Sequence, residues 1–239
     1  MSHFLDYKDY FRGMKKNLLI AILLVFYPVL DRAGYEEPSG MEDINDVYSF
    51  LNLSQYGLSN EAYQLAIKGF NKLKENGQLL NSSILTIIDF SQSSSKKRMY
   101  VIDLYKKALL FNTYVAHGRN TGEEFAEKFS NIPGTFQSSL GFYLTENMAI
   151  GSKVGLSLIL KGLEKGFNDK AQAREIIIHG ADYATEDFIH KNGRLGRSYG
   201  CPSLPPDLIK PVAETIKDGS LLFIYHHDDN YMHKSQVLN

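Results

Sequence analysis

From Ile84 onward the apolar residues fall into short runs: ILTIIDF (84–90), RMYVIDL (98–104), ALLFNTYVA (108–116), GLSLILKGL (155–163), EIII (175–178) and LLFIY (221–225). Each is rich in β-branched and aromatic residues and is bounded by polar or glycine-containing stretches, which is the pattern of strands. SQSSSKK separates the first two runs and Tyr105-Lys106-Lys107 the next two, so a meander is expected there. The period differs earlier. In LSNEAYQLAIKGFNKLKENG, Ala62, Leu65, Ala66, Phe70 and Leu73 recur at helical spacing, Ser59 stands as N-cap and Gly77 as stop. Asp46–Leu53 suggests a further short helix, Asn168 a cap for NDKAQAR, and Asp207–Lys217 a helix with Pro211 near its start and Gly219 beyond it. The fold class is therefore mainly β with flanking helices (α+β), and the tail HHDDNYMHKSQVLN reads as polar and frayed.

Chemistry concentrates in Ile176–Pro206, which holds the only cysteine, Cys201. The isoleucines before His179 read as a buried strand, and His179-Gly180 as the point where the chain leaves it toward a cleft. Cys201 lies between Gly200 and Pro202 in a turn-rich loop, where a thiol is rarely core filling. Arg194 and Arg197 stand just upstream, and nearby positive charge favours the thiolate. A cysteine and a histidine far apart in sequence suit nucleophilic acyl transfer, with His179 as base and the N–H groups of Tyr199, Gly200 and Cys201 as oxyanion donors. No acidic third member is evident. His190 is a competing base, and His117-Gly118, at the end of the third run, is either a second cleft histidine or a strand-end hydrogen bonder. Arg194 and Arg197 are open to a substrate carboxylate, or to a surface bridge with Asp182 or Glu186. A zinc site would draw on Cys201, His179, His190, His226 and His227, but neither C-x-x-C nor H-E-x-x-H spacing occurs, so no metal and no cofactor is expected.

The pair His179-Gly180 and Ser198-Tyr199-Gly200-Cys201 resembles the active-site signature of the L,D-transpeptidase catalytic domains, in the branch called murein L,D-transpeptidase catalytic domain-like (YkuD-like cysteine transpeptidases). Further similarity lies in LSNEAYQLAIKGFNKL (58–73), TIIDFSQSSSKKRMYVIDL (86–104), VAHGRNTG (115–122), FSNIPGTFQSSLGFYLT (129–145) and LLFIY (221–225). The signature more often has histidine where this chain has Tyr199, which bears on substrate geometry. The resemblance implies a β-sandwich or barrel domain and action on peptidoglycan stem peptides through a Cys201 thioester. It also implies that the carbonyl of Gly180 orients His179, and that Ser138, Ser139 and Tyr143 are cleft residues beside His117, Ser198, Arg194 and Arg197. The alternatives are a carboxypeptidase that uses water as acceptor and a peptidoglycan-binding protein whose chemistry has lapsed.

A formal charge of −1 over 239 residues offers no concentrated basic face for nucleic acid. Met14-Lys15-Lys16 precedes NLLIAILLVFYPVL (17–30), a basic flank before an apolar core shorter than a membrane span. Residues 1–30 thus read as a signal peptide or uncleaved anchor, with Met14 an alternative start, and 31–45 as a linker. No A-x-A site follows, and a buried N-terminal helix is the competing reading. The expected layout continues with a catalytic domain over 46–226, its helical prefix at 46–77, and a polar tail at 227–239. The expected setting is the periplasm or bacterial envelope, the expected state a monomer, and membrane contact only through the N-terminal segment. A single cysteine forms no internal disulfide, so an exported chain would keep this thiol for chemistry.

Overall fold

The computed structural model describes residues 46–239, so the expected signal or anchor and the linker lie outside the described residues. Eight strands form one mixed sheet: β1 (Ile84–Asp89), β2 (Met99–Asp103), β3 (Ala108–Thr113), β4 (Gly141–Gly151), β5 (Gly155–Gly162), β6 (Ile177–Gly180), β7 (Ser203–Leu204) and β8 (Leu221–Tyr225). Their order is β3-β2-β1-β8-β4-β5-β6-β7. The first three form the expected antiparallel meander, and β8 inserts parallel to β1 and antiparallel to β4. The two ends of this sheet meet. Just past β3, Ala116 bridges Ser203 of β7, and Gly118 bridges Ser198. The sheet is thereby nearly closed into a barrel, which leaves few unpaired edge groups.

β1, β2 and β8 are buried at every position, as their unbroken apolar runs require. Helix α1 (Val47–Phe50) is a single turn, and α2 (Asn60–Glu75) is the expected amphipathic helix. Ser59 Oγ accepts from Ala62 N at 3.1 Å, and Gly77, at φ +67°, follows the helix in the left-handed conformation. α2 buries Ala62, Ala66, Phe70 and Leu73, while Leu65 is only partly covered. Phe142 of β4 stacks on Phe223 of β8 at 4.2 Å between centroids, and a Cβ on Gly69 of α2 would lie 2.2 Å from the Phe142 ring. That glycine lets the helix sit directly on the sheet.

Three expectations change. Asn168 caps no helix, because 164–175 is a chain of turns. Its side chain instead ties the turn at Glu164 to the carbonyls of Leu140 and Phe142. His179 and Gly180 do not leave the strand; they are the last residues of β6, which starts at Ile177. The tail is not frayed. Helix α5 (Asp229–Lys234) follows β8 and buries Tyr231, and Val237 and Leu238 are also buried. The Tyr231 and Ser235 hydroxyls donate to the fully buried Glu164 carboxylate, which also accepts from Phe142 N at 2.9 Å. A buried carboxylate is tolerable only with such donors, so the tail is part of the domain. Helices α3 (Glu186–Asn192) and α4 (Ile209–Ile216, with Pro211 in its first turn) flank β6 and β7. Among the described residues no helix is long and apolar enough to cross a membrane.

Candidate active site

The loop before β7 carries Cys201, and β7 runs parallel to β6 with Ser203 opposite His179. That pairing brings together two groups distant in the chain. Both line one open cleft of about 1250 Å³, with Gly180, Arg197, Ser198 and Tyr199 on its walls. His190 is not among the lining residues; it sits exposed on α3.

The imidazole of His179 is 7% exposed and held at both nitrogens. Nδ1 lies 3.0 Å from the Gly180 carbonyl, so it carries a proton and Nε2 is left as the acceptor. This is the orientation expected of Gly180. Nε2 accepts from Ser203 Oγ at 3.1 Å, and Tyr183 OH completes the chain by donating to Ser203 Oγ at 3.0 Å. Neither Ser203 nor Tyr183 is legible as a site residue in the sequence, because only the β6–β7 register aligns them.

Cys201 is half-buried, and its thiol donates to the carbonyl of Glu175 at 3.5 Å. Burial pushes the thiol pKa up, partly countered by the Ile177 N–H and the Arg174 guanidinium. The expectation that Arg194 and Arg197 stabilise a thiolate is therefore corrected. Both pair with Glu123, at 2.8 and 2.5 Å, across the loop after β3. Burial therefore favours the protonated thiol over the thiolate at Cys201.

Serines fix the loop that carries the sulfur. Ser198 Oγ accepts from Gly200 N at 3.0 Å and donates to the Cys201 carbonyl at 2.6 Å. Ser138 Oγ holds the Gly200 carbonyl at 2.9 Å. Gly200 adopts φ +126°, and a Cβ there would stand 2.9 Å from the Gln137 carbonyl, so only glycine fits. With Gly200 N–H committed to Ser198, the N–H groups of Tyr199 and Cys201 remain for an oxyanion; neither bonds a carbonyl among the described residues. Tyr199 is 67% exposed, its ring 4.9 Å from that of Phe136, with the Arg119 guanidinium stacked against both rings.

Other expected cleft residues stand elsewhere. His117 is 0% exposed, accepts at Nδ1 from Arg98 Nη2 at 2.8 Å and donates from Nε2 to the Gly122 carbonyl at 3.2 Å. Burial first, then the Arg98 charge, lowers its pKa to about 3, so it is a neutral strut of the loop. Ser139 is buried, donates to the Ser130 carbonyl and accepts from Arg174. Tyr143 is buried on β4 and donates to the Ser139 carbonyl at 3.0 Å; burial raises its pKa. These two, like His117 and Arg194, do not line the cleft. Among the described residues no cluster of histidine, cysteine and carboxylate side chains could hold a metal.

The sequence matches the L,D-transpeptidase catalytic domain family over residues 54–225, well over half of the chain. This chain belongs to that family. No curated protein matches it. Similar solved structures include an L,D-transpeptidase from Mycobacterium smegmatis (12% identity, TM-score 0.38, covering 60% of this chain and 59% of that one). A mutant of the helical cell shape determining protein from Campylobacter jejuni is 17% identical at TM-score 0.41, covering 68% of this chain and 57% of that one. L,D-transpeptidase 3 from Mycobacterium tuberculosis is 10% identical at TM-score 0.36, with 60% and 61% covered. The aligned part thus amounts to about three-fifths of these solved proteins.

Proposed function

We propose that this chain is a cysteine acyltransferase of the bacterial envelope that acts on peptidoglycan stem peptides. The observation that carries the reading is one cleft with two walls: Cys201 on the β7 loop, and on β6 a histidine whose Nδ1 is fixed by the Gly180 carbonyl. Cys201 Sγ attacks the carbonyl that precedes a terminal D-amino acid and passes its proton to His179 Nε2, which must first release Ser203 Oγ. The N–H groups of Tyr199 and Cys201 receive the oxyanion, an interaction for which loss of one donor costs about 3 kcal/mol of barrier. Nε2 then protonates the leaving amine, and a thioester remains. An incoming amine gives up a proton to Nε2 and forms the new amide as the sulfur departs, and Nε2 returns that proton to the sulfur, which restores the thiol. The ring thus serves in turn as base and as acid.

Tetrapeptide stem mixed with the full chain tests this reading. Release of D-alanine with a thioester mass on Cys201, and a cross-linked product when an amine acceptor is present, is the expected result. Release without cross-linking would assign a carboxypeptidase, and no thioester would sink the acyl-transfer reading and leave a binding role.

A further inference from the structure

Arg174 precedes β6 and lines the cleft, and its Nη2 would lie 3.4 Å from a Cβ built on Gly200. It differs from Arg194 and Arg197, which share the Glu123 carboxylate as an ion-pair partner. Among the described residues no carboxylate lies within ion-pair distance of Arg174. Its partners are neutral: Nη1 donates to the Ser130 carbonyl at 2.7 Å and to Ser139 Oγ, and Nη2 to the Gln137 carbonyl. A guanidinium has five N–H groups, so Nε–H and one Nη2–H remain, the pair that the side edge of the fork offers to two carboxylate oxygens. Three bonds to the 130–139 segment fix the plane in advance, so little side-chain entropy is lost when a ligand docks. A half-buried cation without a counter-ion is costly unless an anion arrives to pair with it.

We propose that Arg174 binds the free carboxylate of the acyl donor's terminal D-residue and so sets specificity for an acid end over a blocked one. This rests on the acyl-transfer reading. The carboxylate lies one residue beyond the scissile bond, so anchoring it beside Gly200 brings the preceding carbonyl to the sulfur.

Binding decides the matter without turnover. In the full chain carrying Cys201→Ala, titration calorimetry compares a stem tetrapeptide ending in a free carboxylate with the same peptide ending in an amide. The acid should bind about 10- to 100-fold tighter, the range of a charge-assisted hydrogen-bonded pair. Arg174→Gln should bring the two affinities within about twofold, and Arg174→Lys should keep part of the preference. Equal affinities with Arg174 in place, or a preference that survives Arg174→Gln, would overturn the proposal. If the glutamine variant does not fold, the acid-to-amide ratio with Arg174 in place, set beside that of Arg174→Lys, decides: a ratio near one, or one the lysine leaves unchanged, overturns it. The thioester assay on the parent chain separates the two ideas. Thioester without acid preference removes Arg174 alone, and acid preference without thioester removes the acyl transfer alone.

Discussion

The chain writes His-Gly twice, at His117-Gly118 and His179-Gly180, each after a β-rich run and each nearly buried. The first ring is a dead end. Arg98 fills one nitrogen, the Gly122 carbonyl the other, and burial beside a cation keeps it neutral. In the second ring one nitrogen faces a fixed carbonyl and the other the hydroxyl of Ser203, and the ring lines the cleft that Cys201 also lines. A dipeptide alone does not make a base. What differs is the partner of the second nitrogen, a hydroxyl on the neighbouring strand in one ring and a buried guanidinium in the other.

The contrast can be broken at several strengths. His179→Ala should lower turnover of the tetrapeptide by about 10²- to 10⁴-fold, the usual worth of a positioned acid–base, while His117→Gln leaves turnover per folded molecule within about threefold. A reversed pattern in steady-state kinetics would exchange the roles of the two rings. The second effect is on stability. Because the His117 pKa falls from its ordinary 6.5 to about 3 on folding, the unfolded chain binds the extra proton between those values. Stability is then fully present above pH 6.5 and is lost as pH falls toward 3, at up to about 1.4 kcal/mol per unit. Urea unfolding of wild type against His117→Gln should show the steeper loss toward acid in the wild type, because His226, also lowered by burial, keeps part of the slope in the variant. A smaller change is expected from Ser203→Ala, which strips Tyr183 OH of its acceptor and should cost about 1 kcal/mol in the same assay, with turnover inside about tenfold. Smallest is Arg197→Gln. Its exposed pairing with Glu123 contributes about 0–1 kcal/mol, and the Michaelis constant should move less than about threefold.

Much of the frame was legible. The runs at 84–90, 98–104 and 221–225 became β1, β2 and β8, since strands buried on both faces read as unbroken apolar text. The helix after Ser59 was legible because its cap, stripe and stop agree. The end of β4 was not, because TENMAIG mixes polar and small residues over a register shift between Thr145 and Met148. Nor was the docked tail, whose anchors Tyr231, Val237 and Leu238 are scattered among polar residues and whose partner Glu164 is 67 residues from Tyr231. That Cys201 and His179 share one cleft could be expected from residue type and setting. The partners of the arginines could not. Glu123 and the 130–139 carbonyls come from loops whose approach depends on closure of the sheet by Ala116 and Gly118. Charge next to a cysteine in sequence pointed to Arg194 and Arg197, whereas charge next to it in space is Arg174.

The most direct test of the sulfur–imidazole pair is intact mass measurement of the full chain during incubation with a carbapenem, whose strained amide acylates a nucleophilic thiol. A single adduct on Cys201 is expected in wild type, none in Cys201→Ser, and formation slowed at least about a hundredfold in His179→Ala. An adduct that persists in Cys201→Ser, or one that forms as fast without the His179 ring as with it, would contradict the account.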